Sequence, residues 1–251
     1  MQKKESDSHM PAERYYFDQS LSSETIIELR GTEFHHLTHV MRTKKGDYVE
    51  IVNGKGELAS GHVEILMRDK ALLKIKKVEK EEKKSLSLTL AQALVKPNRL
   101  EFLLEKGTEL GVESFYFFPG EHSSNKNCYP SHLERMRTIT IAAMKQCGRL
   151  FLPTIQLLPP ISQWCLNDDK IVFFGDLNRQ AHHFEETWKN LHLTSKNQIM
   201  FVTGPEGGFS ENEMIALKKM RAHGVQLHPH ILRAETASIM AISLLSHWIF
   251  T

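Results

Sequence analysis

Two side chains near the end of the chain have types and spacing suited to chemistry. Arg233 and Glu235, in LHPHILRAETAS, stand at the entrance of a long apolar helix pattern. A charged group held against a core must be paired or used, so the spacing fits either a structural salt bridge or a cation and carboxylate facing a ligand. Earlier in the chain, Thr203-Gly204-Pro205-Glu206-Gly207-Gly208 follows the apolar run 199–202 and precedes Ser210 and Glu213, which have the spacing of a capping box. The pattern predicts a strand, a glycine-rich turn, and a helix whose first N–H groups face back into the turn. Such a junction is either a rigid connection or a ligand seat. It lacks the Gly-Lys-Ser/Thr ending of a phosphate loop and the G-x-G-x-x-G spacing of a dinucleotide fold. A carboxylate such as Glu206 about 4 Å from a phosphate costs about 4 kcal/mol at an effective dielectric near 20. A helix N-terminus returns only about 0.3–1 kcal/mol. The expected ligand therefore carries no phosphate and some positive charge, a description that S-adenosylmethionine fits.

The elements that must position these residues follow from periodicity. At 251 residues and 41% hydrophobic content, the chain has material for one large domain or two small ones. Lys plus Arg at 32 against Asp plus Glu at 30 neither proposes nor excludes a nucleic-acid partner. Cys128, Cys147 and Cys165 lie far apart, without zinc spacing or the crowding of a secreted disulfide scaffold, so a reducing cytoplasm is expected. Residues 1–13 contain no apolar stretch of signal-peptide length and are expected to form a disordered leader. Polar residues interrupt the apolar stretch near the C-terminus, which argues for a buried helix and against a membrane span.

From Arg14 to about Lys84, alternating apolar and polar positions around turn signals predict an antiparallel sheet or small barrel, preceded by a short helix over 32–41. His35 and His39 have a metal-compatible spacing but no third ligand accompanies them, so no metal is expected. Arg42, Lys44 and Lys45, and again Lys74, Lys76 and Lys77, form either a solvated surface or a phosphate-contacting face. The mixed-charge run 79–84 marks the domain boundary. Beyond it, strands over 85–94, 114–118, 171–174, 199–202 and 225–227 alternate with helices. One helix covers 97–110 and ends at Gly111; another opens at a Ser131/Glu134 capping box, and its Cys147 is expected in the core. This alternation predicts an α/β layer with a mainly parallel sheet. Ligands in such sheets collect beyond the carboxyl ends of the strands, which singles out the loops 175–177, 204–208 and 227–235.

TGPEGGFSENE followed by ILRAETA resembles the RsmE family of ribosomal RNA methyltransferases, in the SPOUT superfamily. LEFLLEKGTELGV, IAAMKQCGRLFLP and HHLTHVMR are similar to further segments of that family, so the resemblance covers nearly all of the chain from Arg14. It implies an α/β protein with an N-terminal PUA-like β-barrel for RNA, here 14–84. A SPOUT methyltransferase domain with a C-terminal trefoil knot would follow over 85–251, in a homodimer. It implies methyl transfer from S-adenosylmethionine to N3 of a uridine in 16S ribosomal RNA, naked or in the assembled small subunit, without a membrane. By motif position the cofactor would contact Gly175, Thr203, Gly204, Pro205, Glu206, Gly207, Gly208, Leu227, Ile231, Leu232 and Ala237.

The reaction requires a cation against the charge developing on the base and an acceptor for the N3 proton. Arg233 is expected to stabilise the uracilate, with Glu235 orienting Arg233 or receiving the proton. Arg14, His36, Arg42, Lys106 and Arg149 are the implied RNA contacts, each otherwise a surface charge. Lys145, Ala234, His122 and the triplet His228-Pro229-His230 depart from the family pattern, while the cofactor loops keep it. Two other classes share parts of the layout. A nucleotide-dependent oxidoreductase needs a phosphate-binding glycine signature that is missing here, and a non-catalytic RNA-binding module has no use for intact cofactor loops.

Overall fold

A computed structural model describes residues 13–250 apart from 128, 168, 179, 192, 193 and 195–197. Cys128 and residues 1–12 of the expected leader lie outside the described residues. The chain divides into two compact units: one holds the residues up to Lys83 together with Ile141–Leu152, the other Lys84–Thr140 together with the chain from Pro153.

The first unit is a curled five-stranded sheet of PUA-like type. Strands β1 (Arg14–Tyr16), β2 (Ile26–Arg30), β3 (Tyr48–Val52), β4 (Glu57–Leu66) and β5 (Lys70–Lys80) lie in the order β1-β3-β4-β5-β2. The first pair is parallel and the others antiparallel. Alternation decides which face is buried: Ala71, Leu73 and Ile75 of β5 point inward with Ile27 and Leu29 of β2 and Val49 and Ile51 of β3. The β4–β5 ladder slips at Ser60/Gly61, where a Cβ on Gly61 would lie 2.2 Å from the Lys74 carbonyl oxygen, so only glycine permits that approach.

The helix expected over 32–41 is α1 (Gly31–His35), continued by a π-helical turn, His36–Val40, that is closed by the Met41 N–H on the His36 carbonyl at 3.0 Å. The segment Ile141–Leu152 is held within this unit by Lys145 Nζ to Glu33 Oε1 at 2.6 Å and by Arg14 donating to the Gly148 carbonyl at 2.6 Å. Two backbone bonds, Gly56 N to Leu150 O and Leu152 N to Gly54 O, complete the attachment.

The second unit is the predicted α/β layer. Strands β6 (Ser87–Ala93), β7 (Ser114–Phe118), β8 (Thr154–Leu157), β9 (Lys170–Gly175), β10 (His182–His183), β11 (Gln198–Thr203) and β12 (His223–Gln226) form one sheet in the order β10-β12-β9-β11-β6-β7-β8. Every pairing in it is parallel. Its helices are α2 (Pro97–Glu109), α3 (Pro130–Cys147, whose residues from Ile141 belong to the first unit), α4 (Phe184–Lys189), α5 (Glu211–Lys219) and α6 (Ala234–Phe250). Both faces are covered. Ile199 and Phe201 of β11 join Leu103 of α2 and Ala241 and Leu245 of α6, whereas Met200 and Val202 join Leu217 of α5 on the opposite face.

Helix α3 departs from expectation. It begins at Pro130 and not at a Ser131/Glu134 capping box. A proline in the first helical position gives up no bond, because that N–H has no acceptor within the helix. Ser131 therefore lies inside the first turn. The Tyr129 N–H meets His132 Nδ1 at 3.3 Å in place of a serine cap. Strands β8 and β10 and helix α4 carry too little pattern to be read from sequence. Among the described residues, no helix is long and apolar enough to cross a membrane.

Candidate active site

Because the sheet is parallel, the ends of β6, β7, β9, β11 and β12 open on one edge, and the strand order reverses between β6 and β11. The capping box at the start of α5 is formed as its residues predict. The Glu213 N–H donates to Ser210 Oγ at 3.1 Å and the Ser210 N–H to Glu213 Oε2 at 2.9 Å. The other carboxylate oxygen of Glu213 accepts from the Glu121 N–H at 3.0 Å, which draws the loop after β7 onto the glycine turn. His122 follows: its Nδ1 lies 3.2 Å from the Gly208 carbonyl, and a Cβ on Gly207 would stand 2.8 Å from the His122 Cβ. The turn closes on itself through the Gly208 N–H to the Pro205 carbonyl at 2.9 Å.

A buried polar knot fixes the strand ends beneath this turn. Ser238 Oγ of α6 lies 2.6 Å from Gln92 Oε1 of β6 and 2.7 Å from Thr203 Oγ1 of β11. Gln92 Oε1 can only accept, so the single Ser238 proton goes there and the Thr203 hydroxyl donates in return. Gln92 Nε2 donates to the Ala93 and Gly204 carbonyls. Thr203 thus acts as a joint between strand and turn. No local pattern marks Gln92 or Ser238 as site residues, because their partners are distant in sequence.

Above the knot, Arg99 at the start of α2 faces two carboxylates. Its guanidinium lies 3.0 Å from Glu206 Oε1 and 3.5 Å from Glu235 Oε1. Glu206 is thus paired and not a free carboxylate. One guanidinium against two carboxylates nevertheless leaves one net negative charge, and the site still opposes phosphate. The Glu235 side chain is 14% exposed, and its Oε2 is buried with no hydrogen-bond partner among the described residues. Arg233 supplies the carbonyl that accepts from the Ala237 N–H at 2.8 Å and so opens α6; its exposed side chain has no polar partner among the described residues. The two expected catalytic residues are therefore neighbours without contact, and Glu235 is oriented by Arg99. The sequence did hold a signal for Arg99, because a cation in the first turn of a helix opposes the macrodipole and calls for an anionic partner.

The remaining predicted residues divide clearly. Gly175 at the end of β9 and Leu227 just beyond β12 come together: a Cβ on Gly175 would meet Leu227 Cδ1 and Phe201 Cζ at 3.9 Å. Leu232 and Ala237 are half-buried, while Ile231 is 83% exposed. In the first unit, Arg14 is committed to Glu50 at 2.9 Å and to the Gly148 carbonyl. His36 is half-buried, with Nδ1 lacking a partner among the described residues and its ring edge-on to Tyr15. Arg42 is exposed at a positive φ of 53° without a salt bridge among the described residues. Arg149 is half-buried. Lys106 in α2 is bonded to Glu105 and Glu109, which push its pKa up to about 12. The His35 and His39 rings stack at 4.5 Å, and among the described residues no group of three or more His, Cys, Asp or Glu is placed to hold a metal.

Residues 81–246 match the family model of an RNA methyltransferase domain, and residues 29–76 that of an RNA methyltransferase PUA domain. The ribosomal RNA small subunit methyltransferase E of Buchnera aphidicola is 30% identical over 243 residues, covering 92% of this chain and 92% of that protein. The chain belongs to this family. The methyltransferase E of Bacillus subtilis is 27% identical, with 94% of this chain and 96% of that protein covered. The crystal structure of methyltransferase E from Neisseria gonorrhoeae, bound to S-adenosyl methionine, superposes with a TM-score of 0.84 at 25% identity, covering 97% of this chain and all of that one. As a member of the methyltransferase E family, the chain carries its glycine turn and Arg233/Glu235 segment at the strand-end edge where an α/β sheet receives ligands.

Proposed function

We propose that this protein transfers the methyl group of S-adenosylmethionine to N3 of a uridine in the ribosomal RNA of the small subunit. The observation that carries this reading is the joining of an intact glycine turn to Glu235 through Arg99, with the enclosed Glu235 Oε2 and the neighbouring exposed Arg233 both lacking a polar partner among the described residues. S-adenosylmethionine supplies an electrophilic methyl group on a sulfonium. The site suits it: three close glycines, and a cluster of Arg99, Glu206 and Glu235 that carries one net negative charge and whose own cation is committed to the two carboxylates. Gly175, Thr203, Gly204, Pro205, Glu206, Gly207, Gly208, Leu227, Leu232 and Ala237 would hold the cofactor, and Ile231 would join them by folding inward from solvent.

In the reaction, N3 of the uracil forms its bond to the methyl carbon as the carbon–sulfur bond breaks, and the N3 proton must leave. Glu235 Oε2 is the acceptor, with Oε1 kept on Arg99. Arg233, exposed and without a polar partner among the described residues, would close on the bound base and face the negative charge that develops there, where a cation held against it is worth several kcal/mol. Holding both reactants aligned contributes about 7–11 kcal/mol more.

The PUA-like segment 14–84, which the first unit completes with Ile141–Leu152, is assigned to RNA, with Arg42 the most exposed of the candidate contacts and His36, Arg14, Arg149 and Lys106 as supports; the SPOUT segment 85–251 is assigned to catalysis. The family resemblance supports a trefoil knot in the latter and a homodimer, with the cytoplasm as the place where ribosomal RNA is met. Labelled S-adenosylmethionine incubated with small subunits from cells lacking this protein tests the function. Label at N3 of one 16S uridine is the expected result; label at another nucleotide, or none, overturns the assignment. Sedimentation of the purified protein tests the dimer.

A further inference from the structure

The Arg99, Glu206 and Glu235 cluster joins three elements that the sequence separates: α2, the turn after β11 and the start of α6. All three side chains are at most one-third exposed, so solvent screens them only in part. Their charges do not cancel. We propose that Arg99 is a specificity-determining residue that acts through Glu206 and Glu235: it holds the site at one net negative charge, which favours the sulfonium cofactor over its product. This rests on the reading of S-adenosylmethionine as methyl donor. Methyl transfer moves CH3 from sulfur to N3, leaves the sulfur neutral with the bonding electron pair, and sends the N3 proton to an acceptor. The bound cofactor thus loses one positive charge while its shape changes by one methyl group. A site that only fitted shape would hold donor and product alike, whereas one carrying a single negative charge releases the product.

Removing the cation altogether would leave two uncompensated carboxylates, and removing a carboxylate would leave none. Arg99 sets the intermediate value and places both carboxylates with one planar group, a geometry that guanidinium serves better than ammonium. Arg233 stands outside this count, because its side chain is exposed and makes no ion pair with the cluster among the described residues.

Calorimetric affinities for S-adenosylmethionine and S-adenosylhomocysteine, measured on the full-length protein and four variants, test the proposal. The ratio of the two affinities is the readout. Glu206→Gln should reduce the preference for the donor by roughly fivefold or more, and Arg99→Gln should increase it by a similar factor. Arg99→Lys should keep it within about twofold, since the charge is conserved. The double variant Arg99→Gln/Glu206→Gln should return towards the parent ratio even if both affinities fall. Equal weakening of donor and product in Glu206→Gln and Arg99→Gln, with an unmoved ratio, means a merely structural cluster and overturns the proposal. If Arg99→Gln does not fold, Glu206→Gln alone decides by the same ratio. A parent protein that binds neither compound rejects the cofactor reading instead, so the two failures are distinguishable.

Discussion

Glu235 presents one carboxylate oxygen to Arg99 and encloses the other, while Arg233, two positions earlier, reaches into solvent. That division of labour sets the expectations at the residue scale. Arg233→Ala should lower the single-turnover methylation rate on small subunits by about 10²–10³-fold, the usual cost of losing a group aimed at transition-state charge. Its affinity for S-adenosylmethionine should stay within about twofold, because the exposed side chain makes no hydrogen bond or ion pair to the turn or the Arg99 cluster among the described residues. Glu235→Gln keeps the volume but cannot accept the N3 proton, and should lower the same rate by about 10²–10⁴-fold. Full activity in Glu235→Gln would remove it from the reaction and leave it as the carboxylate that anchors Arg99.

At the scale of elements, stability rests on a few polar joints. Ser238→Ala leaves Gln92 Oε1 buried without its donor, and should cost about 1–3 kcal/mol in urea denaturation, concentrated in the second unit. In the first unit, Glu57 accepts from the Leu21 N–H at 2.9 Å and from Asn53 at 2.7 Å, and pairs with Lys80 at 2.8 Å. The Leu21 N–H first, then Lys80 and Asn53, hold its carboxyl below the ordinary carboxylate value. The folded value is depressed, so the unfolded chain takes up the proton first as acidity increases. The stabilisation is complete above pH about 4.5 and is lost as pH falls through the folded value. Thermal melts of Glu57→Gln should be lower than the parent's at pH 7, with the gap closing in acid. A constant gap at all pH values would assign the loss to packing and not to charge.

Over the whole molecule, the two units are not two halves of the sequence, because Ile141–Leu152 leaves the second and completes the first. The bond from Lys145 to Glu33 at 2.6 Å has both side chains more than four-fifths buried, and Glu33 also accepts from the Tyr16 N–H. Lys145→Ala strands a largely desolvated carboxylate, at a cost of about 3–5 kcal/mol for a fully buried pair and less here. Hydrogen exchange should show that loss in β1 and α1 before it appears in the parallel sheet. Uniform loss across both units would mean that they unfold together.

The sequence by itself determined what depends on neighbours along the chain. A breaker after an apolar run and a serine three residues before a glutamate suffice for the β11 turn and the α5 cap, since the bonds close within one helical turn. Period-two and helical alternation likewise suffice for the two kinds of sheet. The same logic misplaced the α3 cap, because Pro130 satisfies the helix start more cheaply than Ser131. The remaining features needed the folded arrangement. Ser238 meets Gln92 across 146 residues, Arg99 meets Glu206 across 107, and Lys145 meets Glu33 across 112. These contacts depend on strand order and on which loops share an edge, and a charge or amide in a sequence carries no mark of the distant partner that will satisfy it. Arg233 and Glu235 thus stand out by their spacing, but that Glu235 pairs with Arg99 while Arg233 has no polar partner among the described residues depends on the packing of α2 beside α6.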